Sequence, residues 1–194
     1  MSTGVFLSVQ ESYVPDAQAA ARSLVAAVNE RLEELGQPLL LDPVTGPHVC
    51  EGRTGLDHVG SGTLRELGEL AGDALAHAHL LAVNPYRLVY APRPFEEPQV
   101  TRHRESIAGQ EVNVLLGSSH RLRDELLALA STLGIPLEGG ALGDAVAKKI
   151  DDLEPLHEGD EDWGRMESLR MAWLLMHEAA LLSMAKGVPI SLAG

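Results

Sequence analysis

The segment MAWLLMHEAALLSM, Met171–Met184, restricts the fold more than any other part of the sequence. It lies in a predicted helix, Trp163–Lys186, which ends before Gly187. Apolar residues point in nearly every direction around this helix, so most of its circumference has to be buried. We therefore expect the helix to lie in the middle of the protein, with Trp173 largely buried. His177 on the same helix is then expected to be a hydrogen-bonded core residue.

The segments before this helix alternate between strand and helix patterns. Predicted strands are Gly4–Gln10, Tyr86–Pro92 and Glu111–Leu116, with a further possible strand at Pro38–Pro43. Predicted helices are Pro15–Leu35, Thr63–Leu81, His120–Leu133 and Ala141–Leu153. This order predicts a single layered α/β domain over residues 1–194, with a helical C-terminal part. We expect a mixed sheet of about four strands and, with the last helix, five helices.

Two connections lack any regular pattern. Residues 43–62 are rich in Gly and Pro, and residues 92–110 follow the third predicted strand. A loop as long as 43–62 is usually either functional or poorly ordered. Directly after it, Thr63 and Glu66 have the spacing of a capping box, which predicts that the second helix begins at Thr63.

The charge of the chain restricts its partners. Fifteen Lys and Arg against 28 Asp and Glu give a net charge of −13, and aromatic residues are only 4%. Such a chain repels nucleic acids and anionic membranes, offers few rings for base stacking, and favours basic partners. The only cysteine, Cys50, cannot form an intrachain disulfide, and no apolar run has the length of a signal or a membrane span. We expect a soluble, cytoplasmic protein.

Potential metal ligands are concentrated between residues 48 and 79. His48 and Cys50 are followed by His58 and by the pair His77 and His79. On a helix His77 and His79 would lie about 200° apart, so they could not share one ion. None of the spacings is typical of a zinc site. We expect no metal and no cofactor.

A positive cluster occurs at an unusual place, the start of the predicted helix that follows Glu111–Leu116. It consists of Ser118, Ser119, His120, Arg121 and Arg123. Cations at a helix N-terminus are disfavoured by the helix dipole, whereas serine hydroxyls, free N–H groups and guanidinium groups together bind anions well. One interpretation is an anion-binding site. The other is internal pairing of the arginines with carboxylates, which we expect to come from residues 151–162.

An acidic run precedes the last helix. Its members are Asp151, Asp152, Glu154, Glu158, Asp160, Glu161 and Asp162. The run is typical of a solvated loop in which Asp160 or Asp162 caps the following helix. It is also typical of an electrostatic docking surface for a basic protein.

Two functional hypotheses follow, and the sequence does not decide whether any catalysis occurs. The first is a non-catalytic interaction protein that binds a basic protein partner through the acidic run, as an immunity or antitoxin-like inhibitor binds a cationic toxin. The second is an enzyme or sensor that binds a small anion at Gly117–Arg123. Neither hypothesis predicts the oligomeric state.

Overall fold

The computed structural model describes residues 2–7, 15–40, 52–54, 58–83, 88–104, 111–157, 159–160 and 163–193. Within these ranges the chain forms eight strands and six helices. The strands are β1 (Ser2–Leu7), β2 (His58–Gly60), β3 (Leu88–Ala91), β4 (Gln99–Arg104), β5 (Glu111–Ser118), β6 (Leu137–Glu138), β7 (Ala141–Leu142) and β8 (Ile190–Ala193). The helices are α1 (Pro15–Glu34), α2 (Ser61–Ala71), α3 (Ala78–Leu81), α4 (Ser119–Leu129), α5 (Asp144–Asp151) and α6 (Trp163–Lys186).

Six of the strands form one mixed sheet in the order β2-β1-β8-β3-β5-β4, and β6 pairs with β7 in a separate hairpin. Strands β3 and β5 are parallel, whereas the other neighbours in the large sheet are antiparallel. The predicted α/β class with a mixed sheet is therefore confirmed. The sheet is larger than the expected four strands because β2, β4 and β8 lie in segments for which we predicted no strand.

Helix α6 has the predicted bounds and the predicted central position. It packs against α2, α4 and α5 and against strand β1. Trp173 is fully buried, and its indole N–H donates a hydrogen bond to the carbonyl oxygen of Leu126, 2.6 Å away. These neighbours on several sides explain why apolar residues occur around nearly the whole circumference of α6.

Helix α1 belongs to a second, smaller core. Val28 and Leu32 of α1 cluster with Ala91 of β3 and Leu116 of β5, whereas Trp173 belongs to the larger core. Helix α1 also packs against β4, the edge strand next to β5. The sheet therefore carries helices on both faces, which is why its inner strands contain few polar residues.

The second predicted helix begins and ends earlier than expected. Helix α2 starts at Ser61, directly after the short strand β2, and its N-cap is Gly60, which makes no side-chain cap. The capping box of Thr63 and Glu66 is therefore wrong. The helix ends at Ala71 because Gly72 has a φ of +63°, in the left-handed region that favours glycine.

Two other boundaries differ for local reasons. Helix α4 ends at Leu129 rather than at Leu133, because residues 130–134 form turns that end at Gly134 with a φ of +65°. Helix α5 begins at Asp144 because the preceding residues pair as the β6–β7 hairpin. Of the possible strand Pro38–Pro43, the described residues up to Leu40 form no strand, and the others lie outside the described residues.

Gly117 fits the close approach of a buried ring. A Cβ atom at this position would lie 2.4 Å from Cδ1 of Tyr90, on the neighbouring parallel strand. Tyr90 is fully buried, and its hydroxyl donates to the carbonyl oxygen of His79. This packing fixes the turn between β5 and α4. In the part of the chain that the structure describes, no helix is long and apolar enough to span a membrane.

Candidate interaction surface

The arginines of the positive cluster at the start of α4 lie beside carboxylates of the protein itself. The guanidinium of Arg121 lies 3.6 Å from a carboxylate oxygen of Glu96, and Nε of Arg123 donates to Asp124 at 2.8 Å. The predicted source of these carboxylates, residues 151–162, is wrong. Of that segment, Asp160 lies near the other end of α4, where it pairs with Arg170, which also donates to the carbonyl oxygen of Leu133.

The two serines of the cluster also have partners inside the protein. The Ser118 hydroxyl donates to the carbonyl oxygen of Arg93 at 2.6 Å and accepts the Arg121 N–H at 3.3 Å, so Ser118 is the N-cap of α4. The Ser119 hydroxyl is buried and shares a 2.8 Å hydrogen bond with Ser183. His120 lies half-buried on the same turn. The structure therefore brings all five residues of the cluster together. Its hydroxyls and arginines, however, contact groups of the protein itself.

His79 lies beneath this turn and is held as a neutral ring. Its Nδ1 accepts the Ser118 N–H at 3.0 Å, and its Nε2 donates to the carbonyl oxygen of Glu96 at 3.1 Å. Burial lowers the pKa of His79, and the nearby guanidinium of Arg121 lowers it further. With both ring nitrogens used, His79 is unsuited to bind a metal.

Those of the other potential metal ligands that the structure describes do not form a cluster. His77 is the N-cap of α3, and His58 begins strand β2. His48 and Cys50 lie outside the described residues. Among the residues with described positions, no group of three or more His, Cys, Asp and Glu side chains could hold an ion.

The structure divides the acidic run. Asp151, Asp152 and Glu154 are exposed at and beyond the end of α5. Glu158, Glu161 and Asp162 lie outside the described residues. Asp160 has a side chain only 3% exposed, and its carboxylate accepts two hydrogen bonds from Arg170, the shorter of 2.8 Å. Hydrogen bonding to the guanidinium holds the pKa of Asp160 below its usual value.

A second group of carboxylates lies around a groove of about 380 Å³ between α5 and α6. Asp144 and Asp151 of α5 line one side, and Glu178 of α6 lines the other. Between the two helices lies Arg53, whose Nε donates to Asp151 at 2.8 Å and whose Nη1 donates to Glu178 at 3.1 Å. These bonds lower the pKa of Asp151 and raise that of Arg53.

Sequence reasoning missed this groove. The available signal was the seven-residue spacing of Asp144 and Asp151, which places them two helical turns apart on one side of α5. His177 was also misassigned. It is buried and its ring stacks on Trp173 at 4.8 Å, but it makes no hydrogen bond to any described residue.

Comparison with known proteins gives one match. Residues 51–192, which run from just before Arg53 to β8, match the model of a family described as "Putative DNA-mimic protein". The groove between α5 and α6 and the whole acidic run lie inside the matched residues, whereas α1 lies outside them. No curated protein and no solved structure matched the chain.

The match corrects the function and the partner inferred from the sequence. Neither an inhibitor of immunity or antitoxin type nor an enzyme or sensor for a small anion agrees with the family description, which is of a DNA mimic, so both functional hypotheses are wrong. The predicted partner, a basic protein such as a cationic toxin, is corrected for the same reason, because the family description points to proteins that bind DNA. Since the match covers well over half of its length, the chain belongs to the DNA-mimic family.

Proposed function

We propose that this protein binds a DNA-binding protein in place of DNA, with carboxylates of α5 and the following turn standing in for phosphates. The observation that carries the proposal is the family match over residues 51–192, which includes this acidic region. We name the α5 acidic surface as Asp144, Asp151, Asp152 and Glu154, all of which are exposed. The sequence around it supports the choice, since residues 144–162 contain eight Asp and Glu residues but only two lysines.

The geometry of α5 is compatible with one strand of a duplex. A helix rises 1.5 Å per residue, so Asp144 and Asp151 are separated by roughly 10 Å along the axis. Phosphates of one DNA strand rise about 3.4 Å per nucleotide, so this separation corresponds to about three nucleotides. Two carboxylates on one side of a rigid helix can therefore meet arginines or lysines that normally bind phosphates about three steps apart.

Part of this charge is already balanced. Asp151 pairs with Arg53, and Asp152 pairs with Lys148. Neither Asp144 nor Glu154 forms an ion pair with any residue that the structure describes. Exposed pairs contribute little to stability, so a partner's cations can compete for these carboxylates at small cost. The excess negative charge of the whole chain would attract such a partner at long range and speed association at low salt.

The proposal includes two further points. Helix α1 lies outside the matched residues but packs against β4, which supports one α/β domain over residues 1–194. A single cysteine fits a reducing compartment, which supports a location in the cytoplasm.

The experiment is a capture assay with a nuclease-treated extract of the source cells. The natural protein is immobilised, the extract is passed over it at low salt, and retained proteins are eluted with duplex DNA. We expect the eluate to contain a DNA-binding protein, because DNA and the mimic would compete for one surface. Retained proteins that duplex DNA does not release, or that do not bind DNA after purification, would refute the proposal.

Two matched triple variants locate the surface. Asp144→Asn, Asp152→Asn and Glu154→Gln together should reduce retention of the DNA-binding protein by at least tenfold, since each removes an exposed charge that faces the partner. The control carries Glu30→Gln, Glu33→Gln and Glu34→Gln on α1, which are equally exposed but lie outside the matched residues. It should retain the partner almost as well as the natural protein. An equal loss of retention in both triple variants would show that only the net charge of the protein matters, and would refute the α5 acidic surface as the binding surface.

A further inference from the structure

The groove between α5 and α6 combines an apolar floor with an acidic rim. Leu174 and Leu181 of α6 contribute to the floor. The rim carries Asp144, Asp151 and Glu178 together with Arg53 and Lys148, which pair with Asp151 and Asp152. Leu181 is 44% exposed, whereas the large apolar side chains in the centre of α6, such as Leu174, are buried. A long side chain with an aliphatic stem and a positive end would match both parts of the groove.

His177 gives the groove a polar group without a partner. The side chain is 5% exposed, lines the groove, and makes no hydrogen bond to any residue that the structure describes. Its flat ring lies against the indole of Trp173 with only 6° between the planes. Burial and the charge of Arg123 lower the pKa of His177, so the ring is neutral at pH 7 and has one nitrogen that can accept a hydrogen bond. Because His177 lines the groove, this nitrogen can accept a hydrogen bond from a ligand bound there.

The groove already binds one guanidinium. Arg53 donates to carboxylates on both of its sides, Asp151 on α5 and Glu178 on α6. Both bonds to Glu178 from this region, from the Arg53 side chain and the Arg53 N–H, go to Oε2. Oε1 of Glu178 packs against Gly52, so the carboxylate of Asp144 is the rim group that remains as an acceptor for a second cation.

We propose that this groove receives a single arginine side chain of the DNA-binding partner. Its stem packs on Leu174 and Leu181, and its guanidinium donates to the ring nitrogen of His177 and to the carboxylate of Asp144. The inference rests on the proposed function and adds a specific contact to it. Arginine fits better than lysine because its planar fork can satisfy several acceptors at once and can lie flat along the groove.

The contact would imitate a base rather than a phosphate. The commonest specific contact to DNA is an arginine that donates to two acceptors, O6 and N7, on the edge of guanine. In the groove, an imidazole nitrogen and a carboxylate oxygen supply two acceptors to one guanidinium. The α5 acidic surface would thus replace the phosphates that the partner contacts in duplex DNA, and the groove would replace a base edge.

The test uses N-acetyl-arginine amide as the probe and the lysine analogue as its control. Each is titrated into the natural protein while NMR signals of the His177 ring and the Leu174 and Leu181 methyl groups are followed. We expect saturable shifts with the arginine compound and a response at least several-fold weaker with the lysine compound. No saturable shift, or equal shifts with both compounds, would overturn the inference.

Two variants connect the signals to the groove. His177→Phe keeps a flat ring against Trp173 but removes the acceptor, and Asp144→Asn changes only an exposed rim residue. Both should weaken arginine binding, by about tenfold for a lost hydrogen bond to a charged group. The control, His120→Phe on α4, should bind the probe as the natural protein does. Unchanged binding in Asp144→Asn would refute the inference even if His177→Phe does not fold.

The inference and the proposed function can fail separately. If the arginine probe does not bind but duplex DNA still releases a DNA-binding protein from the natural protein, only the groove contact is wrong. If the probe binds in the groove and duplex DNA releases nothing, the groove is a guanidinium site but mimicry of DNA is refuted.

Discussion

The ion pair of Asp160 and Arg170 provides the sharpest test of how the acidic run is divided. Both side chains are almost fully buried, at 3% and 2% exposure. Arg170 donates to both oxygens of Asp160 and, through Nε, to the carbonyl oxygen of Leu133. We predict that Asp160→Asn destabilises the protein substantially, although it removes one negative charge from a very acidic chain.

The magnitude follows from what the substitution leaves behind. Asparagine keeps one oxygen acceptor, so Arg170 loses one charge-assisted hydrogen bond and its counter-charge. Breaking a buried pair typically costs about 3–5 kcal/mol. Both groups line a cavity of about 330 Å³, however, and water there would screen the remaining charge. We therefore expect a loss of about 2–3 kcal/mol in the free energy of unfolding. For a chain of this size, that corresponds to a fall of roughly 5–10 °C in Tm.

The assay is thermal and urea denaturation followed by circular dichroism, at pH 7 and moderate salt. The matched control is Asp152→Asn, which removes the same charge from an exposed residue paired with Lys148. The control should change the free energy of unfolding by less than about 1 kcal/mol. If Asp160→Asn is no more destabilising than Asp152→Asn, then Asp160 is a surface carboxylate and the described division of the acidic run is incorrect.

Two further predictions concern the turn between β5 and α4. Gly117→Ala should cost about 1–3 kcal/mol in denaturation experiments, because its Cβ would collide with the buried ring of Tyr90; full stability would contradict this packing. Burial holds the pKa of His79 below 6.5, so the unfolded chain binds a proton at this histidine that the folded chain does not. Stability should therefore fall as the pH drops below about 6.5, and the slope in that range should decrease in His79→Gln; an equal slope in both proteins would contradict a neutral His79.

Some of this structure follows directly from local sequence patterns. The bounds of α6 were predictable because its apolar residues extend around the whole helix and Gly187 ends it. Strand β5 was likewise predictable from a short apolar run, and the start of α4 at one of the two serines that follow it was predictable from the preference of serine for helix N-caps. In each case the information lies within a few residues along the chain.

The unpredicted elements depend on distant partners. Strand β8 has only four residues, yet it lies between β1 and β3, so its existence depends on two strands far away in the sequence. Strand β4 contains Arg102 and Arg104, which are not typical of a strand sequence, and its extended conformation is supported by pairing with β5. The groove was not predictable either, because Arg53 and Glu178 meet only after the chain has folded. The acidic run was visible in the sequence, but the burial of Asp160 depends on Arg170.

The most direct test of DNA mimicry is the affinity of this protein for its purified DNA-binding partner at increasing concentrations of duplex DNA. If the protein occupies the DNA site, its apparent Kd should rise in proportion to the DNA concentration once the DNA exceeds its own Kd. The rise should continue without reaching a limit, because the two ligands exclude each other completely. An apparent Kd that does not change, or that reaches a plateau because protein and DNA bind the partner together, would contradict the account.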